Sequence, residues 1–409
     1  MSDPFHPWPR LLDPATLPLR QAIAGGEADT VAGLARLKRV HGHELVIAAI
    51  ELMAARAMAP DRFGGAIGAE TIVADRAGMQ QASSVAAATY KAQRMISAGF
   101  LDHPVLDLCC GIGADAFAMH GAGLRPLAVD HDPLRAWMAR QNTGRPAACA
   151  DVGDIEVCGR LVHIDPDRRS GSRRLWRLED YRPGPSVLAD LFSRVDACMA
   201  KFGPGVEGEV ARSLAPAGEL EFISEAGRLT QAVLWSEHFS RAPAAATRLE
   251  MGGKGCEDTD KDEHRASGEL VPITLTGMPD EPPPFSPLSD FLATVDPAVE
   301  RAGLLATLCR KLNLAMPHPE TGILTGSAPV DSPWLAWFQL LEELPWRLKH
   351  VRAWLKAHDG GEVEVKTRGG AVDPNQVQKS LRGEGGTRYT LFILRFDRPV
   401  RALITRRLV

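Results

Sequence analysis

Paired cysteine motifs are absent from the sequence. Its seven cysteines are an odd number, form no C-x-x-C pair and lie mostly in apolar, strand-like surroundings. We therefore expect reduced thiols, as in a cytosol, and neither a disulfide framework nor a zinc site. The twelve histidines form no H-x-x-x-H pair and no cluster with cysteine, so no metal ligand is predicted.

Long apolar runs are absent as well. The most apolar stretch, residues 44–59, is interrupted by Glu44, Glu51 and Arg56, and the first ten residues have neither a basic start nor an apolar core. We expect no signal peptide, no membrane span and a cytoplasmic location. The composition, 45% hydrophobic and 24% charged, is typical of a folded protein, and 409 residues predict two or three domains.

Positive charge is concentrated at the end of the chain. Residues 347–409 contain 14 lysines and arginines against 6 acids, whereas residues 1–346 contain 33 against 45. A basic end on an otherwise acidic protein suggests a polyanionic partner such as a nucleic acid. A solvated basic face without a ligand is the alternative.

Three blocks of residue pattern follow one another. Residues 1 to about 97 place apolar residues at helical spacing, and Ser83 or Ser84 is expected to cap the last helix of this block. From Val105 short apolar strands alternate with helices, which predicts an α/β fold with a doubly wound parallel sheet. An acidic, glycine-rich loop (251–268) and a proline-rich linker (278–287) come next.

The last block predicts an α+β module. Helices are expected in the segments 289–314 and 332–358. A strand at 362–369, a helix at 373–381 and two closing strands at 388–396 and 400–408 complete it. No internal repeat of fixed period is visible.

The stretch VLDLCCGIGADAF, residues 105–117, joins a strand to a helix through Gly111 and Gly113. These glycines would let a ligand approach backbone amides at the positive end of the helix. Taken alone, G-I-G-A-D-A also fits a dinucleotide pattern, which leaves a nicotinamide or flavin enzyme open. Asp107 lies inside the end of the first strand, Asp130 ends the second and Asp151 follows the third. These carboxylates favour a ligand with cationic and hydroxyl groups, such as S-adenosylmethionine.

This arrangement resembles the cofactor-binding half of class I S-adenosylmethionine-dependent methyltransferases. The shared pattern is D-L-x-C-G-x-G, then an acid at the end of the second strand and an Asp after the third. The resemblance implies a seven-stranded, doubly wound, Rossmann-like core and S-adenosylmethionine as cofactor. It implies that Asp130 holds the ribose hydroxyls and Asp151 the adenine. The implied cofactor-binding residues are Asp107, Cys109, Gly111, Gly113, Asp130 and Asp151, although many members have glycine where Cys109 stands.

The resemblance extends along nearly the whole chain. Further motifs at 81–94, 201–205, 220–224, 232–235, 296–304, 332–338, 344–355 and 363–374 are similar to those of a bacterial group of methyltransferases. The group implies a helical N-terminal domain (1–100), a methyltransferase domain (101–280), a small ferredoxin-like segment (281–330) and a THUMP-like domain (331–409). Because THUMP domains bind tRNA in other methyltransferases, it also implies an RNA partner, tRNA or rRNA.

The fourth strand of the core ends in Asp165-Pro166-Asp167-Arg168. Related amino-group methyltransferases have a D-P-P-Y or N-P-P-Y corner there, whose acid accepts a hydrogen bond from the attacking amino group. The resemblance gives that catalytic role to Asp165, and it leaves Arg168, in place of the aromatic, to stack on a base or contact phosphate. A purely structural pairing of Asp165 with Arg168 is the alternative.

Other basic side chains are predicted to contact the substrate or RNA. Five arginines without an acid between residues 168 and 177 suit a phosphate clamp or, equally, a solvated loop. A lysine at the end of the fifth strand either reaches the substrate or extends to solvent. Four cations around the strand-to-helix turn at Gly369 and Gly370 suit a phosphate cradle, namely Lys366, Arg368, Lys379 and Arg382, with a dimerisation or structural module as the alternative. The residues are Arg169, Arg173, Arg174, Lys201, Lys366 and Arg368.

The sequence therefore predicts an S-adenosylmethionine-dependent methyltransferase that acts on a base in tRNA or rRNA, without metal or membrane. Three alternatives stay open. They are a protein that binds cofactor and RNA without catalysis, a methyltransferase that acts on a protein or small molecule, and a nicotinamide oxidoreductase.

Overall fold

The computed structural model describes residues 7–63, 65–157, 160–168, 177–251, 270–319, 321–368, 371–396 and 399–408. The chain divides into two compact units. The first contains Met1–Glu219, Gln231–Ser240 and Met251–Val271, and the second contains Leu220–Thr230, Arg241–Glu250 and Pro272–Val409. Within the described ranges, no helix is long and apolar enough to cross a membrane.

The first unit begins with helices, as the sequence predicts. They are α1 (Pro7–Arg10), α2 (Leu17–Ala24), α3 (Val31–His41), α4 (His43–Phe63), α5 (Arg76–Gln81) and α6 (Val85–Met95). Helix α4 buries Leu45, Leu52 and Phe63 in one apolar cluster with Leu11 and Leu19, because its apolar residues recur at helical spacing. The Ser84 hydroxyl caps α6 by accepting a hydrogen bond from the Ala87 amide at 3.1 Å.

Strands and helices alternate from residue 104 onward. The elements are β1 (Pro104–Leu108), α7 (Ala114–Gly121), β2 (Arg125–Asp130), α8 (Pro133–Thr143), β3 (Ala147–Cys149), β4 (Leu161–Ile164), β5 (Asp167–Arg168), β6 (Tyr181–Arg182), α9 (Pro185–Arg194), β7 (Ala197–Phe202), α10 (Gly208–Ser213), β8 (Glu219–Glu225) and β9 (Arg228–Trp235). Within the first unit the strand order is β9-β7-β4-β1-β2-β3, with β9 antiparallel to β7 and the other pairs parallel. The predicted Rossmann-like core is confirmed, and the carboxyl ends of its parallel strands share one edge.

The second unit contains most of β8, two further strands and a separate α+β module. Strand β10 (Ala244–Met251) runs parallel to β8, and β11 (Leu270–Gly277) follows it. The module contains β12 (Phe291–Val295), α11 (Pro297–Arg301), α12 (Leu305–Leu312), β13 (Ile323–Gly326), β14 (Leu335–Pro345), α13 (Leu348–Ala357), β15 (Gly360–Thr367), α14 (Pro374–Leu381), β16 (Thr387–Arg395) and β17 (Val400–Arg407). Its sheet has the order β13-β12-β14-β17-β16-β15.

Two helices expected in this module begin as strands. The segment 289–314 opens with β12, and 332–358 opens with β14, which pairs with both β12 and β17. The helical prediction was wrong there because short apolar runs such as WLAWFQLL fit a buried strand as well as a helix. The strand, helix and two closing strands expected from residue 362 onward are confirmed. The predicted loop at 251–268 falls, after Met251, outside the described residues.

Candidate active site

The glycine loop between β1 and α7 has an unusual backbone. Cys109, Gly111 and Gly113 have φ angles of 56°, 56° and 82°. A Cβ at Gly113 would lie 2.9 Å from the Cα of Ala139, so this glycine lets the loop pack against α8. A Cβ at Gly111 would meet nothing within 4 Å, so only its backbone angle favours glycine there. Cys109 adopts the same left-handed region without that freedom, which costs backbone strain.

Asp107 lies near the end of β1, fully buried, and its register partner on β4 is His163. Its Oδ1 accepts a hydrogen bond from His163 Nδ1 at 2.6 Å, whereas its buried Oδ2 has no hydrogen-bond partner among the described residues. Burial raises the pKa of the Asp107 carboxyl, and His163 opposes that effect. The chain thus carries a buried carboxylate oxygen with unused acceptor capacity immediately before the glycine loop.

A second buried group lies behind His163. Lys91 of α6 is completely buried, and its Nζ lies 2.6 Å from Asp115 Oδ1, 3.2 Å from Ser83 Oγ and 3.4 Å from His163 Nε2. Ser83 donates to Asp115 Oδ2 at 2.8 Å. Burial lowers the pKa of Lys91, and the Asp115 carboxylate offsets part of that effect.

Lys91 was predicted from the sequence to cover the cofactor or to lie on an ordinary helix surface, and its complete burial contradicts the surface alternative. His163 and Asp115 were not predicted as site residues. Their signal was present in the sequence, because His163 interrupts an apolar strand in LVHI and Asp115 opens the first turn of α7. Polar residues at such positions need buried partners. The partners themselves come from α6 and β1, and only the folded chain brings them together.

Of the two other predicted cofactor carboxylates, Asp130 is the last residue of β2 and Asp151 follows β3. Asp130 is buried, and its oxygens accept hydrogen bonds from the amides of Gly111 and Asp132, each at 3.0 Å. Burial raises the pKa of Asp130, and these two amide donors oppose the rise. Asp151 is exposed and accepts from the Gly153 amide at 2.8 Å, which closes a short turn. Asp130 therefore ties the glycine loop to the end of β2.

The corner after β4 is held by a lysine. The Asp165 amide donates to the Leu108 carbonyl at 3.1 Å, and Asp165 Oδ2 lies 2.6 Å from Lys201 Nζ at the end of β7. Lys201 also donates to the Gln81 carbonyl at 3.2 Å. Burial acts to lower the pKa of Lys201, but Asp165 and Asp115 outweigh it and raise the pKa, so the side chain is an ammonium. The Asp165 side chain keeps 30% of its surface exposed and remains accessible.

The arginines after this corner are described only in part. Arg168 forms a backbone pair with Tyr181 in the β5–β6 ladder, and its side chain lies outside the described part of the chain. Arg169, Arg173 and Arg174 lie outside it entirely. Their roles in stacking or phosphate contact therefore stay predictions.

Comparisons with known proteins show the family and the fold of this chain. Uncharacterised S-adenosylmethionine-dependent methyltransferases from two strains of Mycobacterium tuberculosis are each 31% identical over 335 residues, which cover 80% of this chain and 83% of the relative. This chain belongs to the S-adenosylmethionine-dependent methyltransferases. A family model described as THUMP domain-like matches residues 335–407 of the methyltransferase. The crystal structure of a candidate methyltransferase from Porphyromonas gingivalis W83 shares the fold, with a TM-score of 0.64, 16% identity and coverage of 90% of this chain and 91% of that one.

The residues of this methyltransferase fit its cofactor, S-adenosylmethionine. The Oδ2 of Asp107, which has no hydrogen-bond partner among the described residues, offers an acceptor to an ammonium group. A Cβ at Gly111 would meet nothing within 4 Å, so the loop leaves open space there. Bound S-adenosylmethionine supplies an electrophilic methyl group. Membership of the family removes the nicotinamide oxidoreductase alternative. Within the described ranges, no group of three or more histidines, cysteines and acids is placed to hold a metal ion.

The two predicted RNA contacts in the THUMP-like region of the methyltransferase are ion-paired. Lys366 lies 2.8 Å from Glu364, and Arg368 Nη2 donates to both oxygens of Glu300 at 2.6 and 2.8 Å. Burial raises the pKa of Glu300, and Arg368 opposes that rise. A phosphate would therefore have to compete with Glu364 for Lys366 and with Glu300 for Arg368. The two glycines of the predicted phosphate cradle, Gly369 and Gly370, lie outside the described residues.

Proposed function

We propose that this methyltransferase transfers the methyl group to a nitrogen of a base in tRNA or rRNA, with Asp165 as the catalytic residue that orients the acceptor. The observation that carries the proposal is the Asp165–Lys201 pair beside the end of β1. Lys201 engages one oxygen of the Asp165 carboxylate and restricts the rotation of this side chain. The accessible part of the carboxylate accepts a hydrogen bond from the acceptor N–H, because methyl transfer depends mainly on position.

The cofactor contacts proposed from the resemblance are compatible with the geometry of the site. Asp107 receives the amino group of S-adenosylmethionine on Oδ2, and Asp130 receives the ribose hydroxyls while Gly111 and Asp132 hold it in place. Asp151 contacts the adenine from the end of β3. Backbone at Cys109 and Gly113 completes the loop around the methionine part.

RNA binding is proposed for the THUMP-like region, and the helices α13 and α14 are its best-placed surface. Four exposed cations on or just after these helices form no ion pair with any described residue, in contrast to Lys366 and Arg368. Unpaired cations contact phosphate without losing an internal partner. The four are Lys349, Lys356, Lys379 and Arg382.

Transfer of a tritiated methyl group to fractionated tRNA, rRNA and total protein tests the acceptor class. The variant Asp165→Asn is expected to lower the transfer rate about 100-fold or more, because it removes the charged acceptor that aligns the N–H. Its affinity for S-adenosylhomocysteine is expected to stay within about threefold of wild type, since Asp165 does not hold the cofactor in the proposal.

The exposed Asp190 on α9, which pairs with Arg194, provides the control Asp190→Asn, for which we expect unchanged transfer. Label in protein and not in RNA would refute the RNA acceptor. Cofactor binding without label in any fraction would instead favour a non-catalytic RNA-binding protein. Full methyl-transfer activity of the Asp165→Asn variant would refute the catalytic role proposed for Asp165.

A further inference from the structure

A continuous series of buried polar contacts connects helix α6 with the strand that precedes the glycine loop. Asp115 pairs with Lys91, Lys91 contacts His163, and His163 contacts Asp107. All four side chains are buried, with relative exposures of 6%, 0%, 0% and 0%. Buried charges at this density are costly unless each one is paired, so the arrangement favours one fixed set of contacts.

The donors in this series fix the tautomer of His163. A lysine ammonium has three donors and no acceptor, so Lys91 can only donate to His163 Nε2, at 3.4 Å. The ring proton of a neutral His163 then lies on Nδ1. That nitrogen donates to Asp107 Oδ1 at 2.6 Å, the distance of a charge-assisted hydrogen bond.

The same contacts determine which oxygen of Asp107 is left for a ligand. Oδ1 is occupied by His163, whereas Oδ2 is buried and has no hydrogen-bond partner among the described residues. An unpaired buried carboxylate oxygen costs free energy that a bound cation can recover. His163 and Lys91 also oppose the rise in the pKa of Asp107 that burial causes, and thereby favour its ionised form.

We propose that His163 and Lys91 are positioning residues for the amino-acid end of the cofactor. Lys91 selects the tautomer of His163, His163 orients Asp107, and Asp107 Oδ2 accepts a hydrogen bond from the α-ammonium group of the cofactor. The inference rests on the proposed contact between Asp107 and that ammonium group. It extends the cofactor site to α6, outside the strands and glycine loop.

The matched variants His163→Asn and His163→Gln separate the two contacts of the imidazole ring. The side-chain amide of Asn can replace the Nδ1 donor to Asp107, whereas that of Gln reaches the position of Nε2, next to Lys91. Each variant is titrated calorimetrically with S-adenosylhomocysteine and with 5′-methylthioadenosine, which contains the adenosine part but no amino-acid end.

We expect His163→Gln to weaken S-adenosylhomocysteine binding about tenfold and His163→Asn to weaken it by less than about threefold. Binding of 5′-methylthioadenosine is expected to be unchanged in both, because it has no ammonium group for Asp107. In an Asp107→Asn background, His163→Gln is expected to add no further loss, since the two residues act as one unit.

Equal losses for the two ligands, or equal losses in the two variants, would refute the positioning role and indicate a structural one. If the wild-type chain binds neither ligand, the proposed cofactor site itself fails, which is a different result. If the His163 variants do not fold, Lys91→Met combined with Asp115→Asn replaces the buried ion pair by a neutral pair. That double variant is expected to weaken S-adenosylhomocysteine selectively, and an unselective loss would again refute the inference.

Discussion

At the residue scale, the site depends on carboxylates whose partners differ although their positions in the sheet are similar. Asp107 is held by a histidine, Asp130 by two backbone amides and Asp165 by a lysine. Asp107, which accepts from the imidazole ring of His163 on one oxygen only, suits a cationic group of the ligand. Asp130, which accepts from backbone amides, keeps further lone pairs for hydroxyl groups. The partners therefore distinguish three acids that look equivalent in the sequence.

The pH dependence of cofactor binding follows from Asp107. Its pKa is raised by burial, and the charged or titratable groups that act on it are His163, Asp115 and Lys91. When the pH falls, a proton taken up by Asp107 removes its negative charge, so its attraction for an ammonium group is lost. We expect the affinity for S-adenosylhomocysteine, relative to 5′-methylthioadenosine, to decrease as the pH falls through the raised pKa of Asp107.

Isothermal titration with both ligands over a series of pH values measures this ratio. Asp107→Asn is the control, because it has no charge to lose, and its ratio is expected to be low and independent of pH. A ratio that increases in acid for the wild-type chain would contradict the proposed contact.

At the element scale, the glycine loop shows how a short motif combines two separate requirements. Gly113 needs both a positive φ and the absence of a Cβ, since Ala139 lies 2.9 Å from where that Cβ would be. Gly111 needs only the positive φ, because a Cβ would meet open space. The motif G-x-G therefore contains one packing glycine and one conformational glycine.

The pair Gly113→Ala and Gly111→Ala tests this distinction. Gly111→Ala is expected to lower the free energy of unfolding by about 1 kcal/mol, the cost of a left-handed non-glycine residue. Gly113→Ala adds a clash with α8 and is expected to cost about 3 kcal/mol in total. Urea unfolding of both variants gives the comparison, and equal costs would show that α8 moves to accept the methyl group.

Helices and strands could be predicted from the sequence where the spacing of apolar residues and the length of the segment indicated the same element. The strand from Val105, the helical N-terminal block, the Ser84 cap and the closing strands β16 and β17 all follow from periodicity and capping residues. Strands β12 and β14 were not predicted because the spacing of their apolar residues fits a helix as well as a strand. Both segments form strands because β14 pairs with β12 and with β17.

At the scale of the whole molecule, the uneven charge of the chain indicates where a polyanion would bind. The excess of positive charge lies in the THUMP-like region, where cations such as Lys366 and Arg368 are neutralised by neighbouring acids. The cations of α13 and α14 that form no ion pair within the described ranges are therefore expected to carry the salt-dependent part of RNA binding.

The triple variant with glutamine at Lys349, Lys356 and Lys379 tests that surface. It is expected to weaken tRNA or rRNA binding and to reduce the slope of log K against log salt by about one for each phosphate that is no longer neutralised. The control removes the same number of charges from helices of the first unit, at Lys38, Arg39 and Arg140, and is expected to change neither quantity. A smaller slope in the control than in the triple variant would place the RNA elsewhere.

The sequence by itself determined the family, the α/β core, the glycine loop and the acids that follow successive strands, because these depend on local pattern and on residues close together in the chain. Only the tertiary structure decided which side chain holds each acid. Lys201 is an observed partner of Asp165, and Lys91 reaches His163 across 72 positions of the chain. Such pairings depend on the strand order and on the packing of α6, because contacts between distant residues have no periodic signature in the sequence.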